Sequence, residues 1–65
     1  MDYGFPKSRT FDGRRYRKAH AGAFGSRWDA VRKARQLRSG GKLARIVGRK
    51  VGRSTAWAVY ARGAR

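Results

Sequence analysis

Eighteen lysines and arginines stand against three aspartates and no glutamate in a chain of 65 residues that contains no cysteine, giving a formal charge of +15. That imbalance narrows what such a chain can fold into. A compact body this basic repels itself, and a single small core without disulfides has little stability to spare. The charge makes most sense if a polyanion neutralises it, and nucleic acid is the leading partner. Thirteen of the eighteen cations are Arg, whose planar, permanently charged fork suits phosphate oxygens and base edges better than an ammonium does. Eight aromatic residues argue for a folded body, because basic disordered tails lack large apolar side chains.

The length allows one domain. We expect an N-terminal arm over 1–7, a single α+β domain over 8–62 and a C-terminal tail over 63–65. In the arm, Tyr3, Phe5 and Pro6 show no periodicity, so it either docks through its aromatics or stays loose. No stretch approaches the ~18–20 apolar residues of a membrane span, and the N-terminus lacks a signal-peptide pattern. The absence of cysteine fits an intracellular protein, cytoplasmic or nucleoid-associated.

Asp12-Gly13 stands between two short runs able to extend, and this dipeptide supplies the positive φ angles of a two-residue hairpin turn. It predicts strands over Ser8–Phe11 and Arg14–Ala19. Phe11 and Tyr16 then form a diagonal aromatic pair on the inward face. After the glycine-spaced stretch HAGAFG, Ser26-Arg27-Trp28-Asp29 resembles a shortened capping box. Ser26 is expected to accept from the Asp29 amide while the Asp29 carboxylate reaches back. Ala30, Val31, Ala34 and Leu37 fall on one side of the helix that follows, with Arg32, Lys33, Arg35 and Gln36 on the other. Trp28 lies at the border and reads more readily as core than as a stacking platform. Gly40 is expected to take the left-handed cap, beside Arg38 at the negative end of the dipole.

The remainder, KLARIVGRKVGRSTAWAVYARG, is β-prone and broken by Gly48 and Gly52, predicting a second hairpin with a loop around Arg49–Arg53. In its last strand, alternation sends Trp57 and Val59 to one face and Ala56, Ala58, Tyr60 and Arg62 to the other, with the Trp57 face taken as core. Ile46 is expected inward, since its set contains no Arg. The order hairpin, helix, hairpin predicts a small antiparallel sheet of three to four strands with one helix on one face. The other face would be partly uncovered.

The residues Tyr16 to Lys18, Ala34 to Gly40, Ala44 to Val47 and Trp57 to Arg62 carry a pattern of their own. YRK precedes a helix ending A-x-x-L-R-x-x-G, and strands A-R-I-V and W-A-V-Y-x-R follow. In outline this resembles small basic uncharacterised βαββ proteins of archaea and their viruses. The resemblance implies the fold and brings no activity.

Metal-dependent nuclease or polymerase chemistry needs converging carboxylates. Asp12 belongs to a turn, Asp29 to a helix start and Asp2 to the chain end, so no metal site and no cofactor are expected. No P-loop or dinucleotide fingerprint is present. One catalytic alternative is a carboxylate-free ribonuclease using His20, Tyr60 and Arg62. Each of these also has a plain structural use, and we expect no enzyme and no small-molecule substrate. The expected activity is binding of double-stranded DNA with low sequence specificity, with DNA favoured over RNA. RNA binding, including ribosome association, is the alternative. An anionic membrane is the weaker partner, because small Ala residues occupy much of the helix's apolar side.

The candidate contacts are Arg14, Arg15, Arg17 and Lys18 on the first hairpin, Arg32, Lys33, Arg35 and Gln36 on the helix, and Arg45, Arg49, Lys50 and Arg53 on the second hairpin. Base-edge reading commonly uses Asn and Gln; the chain has no Asn and a single Gln. Phosphate contacts should therefore dominate. With about six of them, log affinity would fall with log salt at a slope near −5 on duplex DNA. Tyr16 and Tyr60 leave open base stacking on an exposed sheet. Oligomeric state is not legible, although a free edge strand could pair with a second copy.

Overall fold

The computed structural model describes residues 4–63; Asp2, Tyr3 and the last two tail residues lie outside them. The chain forms strands β1 (Ser8–Phe11) and β2 (Arg14–Lys18), helix α1 (Arg27–Ser39), and strands β3 (Lys42–Val51) and β4 (Ser54–Gly63). They build one antiparallel sheet, order β1-β2-β4-β3, with the helix packed over β3 and β4. The fold is the expected small α+β type.

Each hairpin follows from its turn residues. Asp12 and Gly13 both take positive φ, 52° and 76°, the twist that closes a two-residue hairpin, and Phe11 pairs with Arg14. In the second hairpin the turn is only Gly52-Arg53, with Gly52 at φ 61°, so the expected loop from Arg49 is shorter than its composition suggests. Gly48 continues β3 instead of breaking it. It pairs with Trp57, and a Cβ on Gly48 would stand 2.7 Å from the indole. Glycine here makes room for the ring lying over it.

Ser26, extended at φ −129°, caps the helix, but its hydroxyl accepts from the Trp28 amide at 3.2 Å, one residue earlier than the capping box requires. At the other end Gly40 stays at φ −84°, and Gly41 takes the left-handed conformation at φ 82° while donating to the Arg38 carbonyl at 3.0 Å. The helix runs through Ser39, which moves the left-handed position one residue beyond Gly40. Arg38 Nη2 also donates to the Ala44 carbonyl at 2.9 Å, tying the helix end to β3.

Two cores form, one on each side of the sheet. On the helix side Ala30 and Ala34 are fully buried over Ala44 and Val59, flanked by Phe24, Ile46, Leu37 and Trp57. The small alanines let the helix sit close to the strands. On the other side Phe5, Tyr16, Ala56, Ala58 and Tyr60 are buried, with Phe11 and Val47 against them. The expectation of a partly uncovered outer face, with the Trp57 side as the core, is thus corrected. Tyr60 is the largest fully buried side chain, and Trp57 is only partly buried.

The physical reason is curl. In a flat four-stranded sheet the edge strands β1 and β3 would stand about 14 Å apart, three spacings of ~4.8 Å. Here Arg45 of β3 forms an ion pair with Asp12 in the β1–β2 turn, and its guanidinium stands 5.8 Å from the Phe11 ring. Phe11 meets Tyr16 edge-on at 5.1 Å and Tyr60 at 5.9 Å. The N-terminal segment completes the closure. Phe5 is buried, the Tyr60 hydroxyl donates to the Pro6 carbonyl at 2.6 Å, and the Lys7 carbonyl accepts from the Lys18 amide at 2.8 Å.

Candidate nucleic-acid interface

β2 pairs with β4 only through Arg17 and Lys18, opposite Ala61 and Tyr60, and it ends one residue short of the expected Ala19. Ala19 still donates to the Val59 carbonyl at 2.9 Å, after which the chain turns away until Phe24 and Trp57 exchange two backbone bonds. In the gap, His20 Nε2 accepts from the Val59 amide at 2.9 Å. The imidazole proton therefore sits on Nδ1, 3.3 Å from the Ala21 carbonyl. The ring lies 4.3 Å from that of Phe24. Partial burial holds the His20 pKa below its ordinary value; the Ala21 carbonyl opposes this, and Lys18 and Lys33 reinforce it. His20 thus stands in for a missing strand partner. Tyr60, its companion in the ribonuclease alternative, spends its hydroxyl on Pro6, and Arg62 Nε donates to the Gly63 carbonyl.

The register determines where the cations point. Arg17 is opposite Ala61, and Ala61 is opposite Ala44, which packs against the helix. Arg17 therefore projects to the helix side of the sheet, as does Arg15 two residues before it. Pairing with them, Ser8 and Thr10 of β1 point the same way. Since the helix covers β3 and β4, the first hairpin extends past it as a shelf bearing Ser8, Thr10, Arg15 and Arg17.

Where this shelf meets the helix, a groove of about 430 Å³ is lined by Arg17, Lys18, Lys33, Leu37, Lys42 and Arg62 over a floor that includes Ala19 and Ala61. Among the described residues no carboxylate lines it. Arg17 enters from β2, Lys33 from the helix and Lys42 from the start of β3, and these three side chains have no ion-pair partner among the described residues. Cations on facing walls, with the Ser8 and Thr10 hydroxyls on the shelf beside them, are the groups that hold phosphate oxygens. Lys42, Ser8 and Thr10 are not among the sequence-based candidates, and Arg62 figures there only in the ribonuclease alternative, not as a phosphate contact. Strand alternation alone could have added Ser8 and Thr10, given the pairing register; Lys42 and Arg62 needed the fold.

The other candidates are dispersed. Arg14 is exposed beside the first turn on the opposite sheet face. Arg45 is engaged by Asp12, and the Arg49 guanidinium lies against Gly4. Lys50 and Arg53 are at the tip of the second hairpin, about 30 Å along ten-residue strands from Lys42. Arg32, Lys33 and Gln36 line a shallower groove with Phe24 and Asp29, where the carboxylate offsets part of the charge.

One aromatic alternative is closed and one aromatic expectation, that of Trp28 as core, is reversed. Tyr16 and Tyr60 are buried at 4% and 0% exposure, so they offer no open stacking sheet, while Trp28 is 75% exposed on the helix. At about 100° per residue, the buried Ala30 and Ala34 lie on the far side of the helix from Trp28, and Arg32 and Arg35 flank it within about 40°.

No family model, curated protein or solved structure matches this chain. Among the described residues no three His, Asp or Glu side chains come together, and no helix is long and apolar enough to cross a membrane.

Proposed function

We propose that this protein binds nucleic acid, double-stranded DNA foremost, with little sequence preference and through phosphate contacts. The observation that carries this reading is the groove between helix and β2. Arg17, Lys33 and Lys42, from three different elements, converge there, with no carboxylate on its walls among the described residues. Bringing like charges together costs free energy, which a bound polyanion returns by releasing its own counterions.

The long dimension of the molecule, 38 Å, matches about eleven phosphates along one strand at ~3.4 Å each. The groove and the Lys50–Arg53 tip can thus face the same duplex from opposite ends of the body. Low specificity follows from composition. Gln36 is the lone side-chain amide, so base edges have few partners beyond Arg. A binding role, without catalysis, accords with His20 and Tyr60 being engaged in the fold.

An NMR titration of the labelled protein with a short DNA duplex, the matching RNA duplex and one single strand, at about 50 and about 200 mM salt, tests this. The expected result is salt-sensitive shifts at Ser8, Thr10, Arg17, Lys33, Leu37 and Lys42, strongest with duplex DNA. Stronger shifts with the RNA duplex would reassign the ligand to RNA. Absence of shifts with every ligand at low salt would refute nucleic-acid binding.

A further inference from the structure

Among the described residues Trp28 is the large apolar side chain left most open: 75% of it is exposed, against 38% for Leu43. Its position is not forced by helix formation. The helix start is set by the Ser26 hydroxyl accepting from the Trp28 backbone amide, a contact that any residue except proline could make. Nor does the indole cover the core, since Ala30 and Ala34 occupy the opposite side.

Its surroundings indicate what would cover it. Arg32 and Arg35, one and two turns on, share its stripe and are both exposed. Neither has an ion-pair partner among the described residues. Asp29 lies to one side, at about 100° around the helix. A protein-docking aromatic is normally set in an apolar patch with a polar rim; this one is bounded by guanidiniums. A second copy would bring Arg32 and Arg35 against their own like charges on a body of +15. A nucleobase satisfies both parts of the stripe. Its π face stacks on the indole, and the adjoining phosphates take the two guanidiniums.

We infer that Trp28 is a stacking residue for an unpaired base, with Arg32 and Arg35 holding the phosphates on either side. The inference rests on the nucleic-acid reading and refines it: ligands with accessible bases gain a contact that a closed duplex cannot supply. A duplex carrying a single-stranded overhang then binds more tightly than the same duplex with blunt ends.

The test compares the full chain with Trp28→Ala and Trp28→Phe on three probes: a single strand, an abasic strand of equal length, and a blunt duplex. Stacking is worth about 5- to 150-fold per base on alanine substitution. Trp28→Ala should lose that factor on the single strand and nothing on the abasic strand or the duplex, and Trp28→Phe should recover part of it. In the wild type the Trp28 indole N–H signal, assigned by its absence from the Phe variant, should shift with the single strand and not with the abasic one. Affinity of Trp28→Ala equal to that of the wild type on each of the three probes would overturn the inference while leaving phosphate binding intact. Equal losses on all three would overturn it too, since the contact would not be with a base. Concentration-dependent shifts of the indole without nucleic acid would reassign the face to self-association. Failure of the wild type to bind any probe would refute nucleic-acid binding and the stacking role together.

Discussion

Neutralising the groove has a calculable signature. Arg17→Gln, Lys33→Gln and Lys42→Gln together remove three charges and keep the first two methylenes of each stem, those nearest the backbone, so packing around Leu37 and Ala61 is largely retained. Each phosphate contact on duplex DNA contributes about −0.9 to the slope of log affinity against log salt. Loss of three contacts makes the slope shallower by about 2.7. A six-contact site, slope about −5.4, loses roughly 2,000-fold in affinity between about 50 and about 200 mM salt; the triple variant should lose only about 40-fold. Fluorescence anisotropy with a labelled duplex measures both, and circular dichroism checks the fold. Arg45→Ala provides an internal comparison, because Asp12 already engages that guanidinium; its slope should stay near that of the wild type. If the triple variant keeps the wild-type slope, while neutralising Lys50 and Arg53 flattens it, the groove is not the phosphate site and the hairpin tip is.

Other expectations concern how the site is held. The folded His20 pKa is depressed below 6.5, chiefly by burial, so the unfolded chain binds the proton more readily. The stability contributed by His20 is therefore complete above pH 6.5 and is lost as pH falls through the folded pKa. Thermal melts of the wild type should show this decline and those of His20→Ala should not, with the variant also less stable by about 1–3 kcal/mol for the orphaned Val59 amide. Tyr60→Phe removes the bond to Pro6 and should cost about 1 kcal/mol, read as faster amide exchange in β1 and β2. Ala34→Leu forces a large side chain between helix and sheet and should destabilise by about 1–3 kcal/mol in urea unfolding; a neutral effect would show the helix–sheet spacing to be loose.

The elements of this protein were legible because each is specified locally. Asp12-Gly13 dictates a tight hairpin through its positive φ angles, Ser26 marks a helix start, and Phe11 and Tyr16 meet because strand pairing sets them diagonally. Alternation in β4 correctly separated Trp57 and Val59 from Ala58 and Tyr60. It could not reveal that both sets are buried, since period two says which residues share a face and nothing about what covers it. The cover on the second face comes from the curl that brings Arg45 to Asp12, and from Phe5 and Pro6 packing across the strands. Those contacts join residues more than thirty positions apart.

The candidate site divides in the same way. Its charge and preference for Arg are compositional, so a polyanion partner could be argued from the chain alone. Which cations act together could not be. Arg17, Lys33 and Lys42 are neighbours only because β2 pairs with β4 at Ala61 while the helix covers β4 and β3 and stops short of β2. Trp28 shows the limit most clearly. Helical periodicity left it at the border of the apolar side, and the helix's rotation on the sheet, set by Ala30 and Ala34 seated over Ala44 and Val59, turned it to solvent. Local propensity depends on neighbours a few residues away and can be read along the chain. Burial and charge clustering depend on which distant surfaces meet, and here packing of the helix, the sheet and the N-terminal segment chose them.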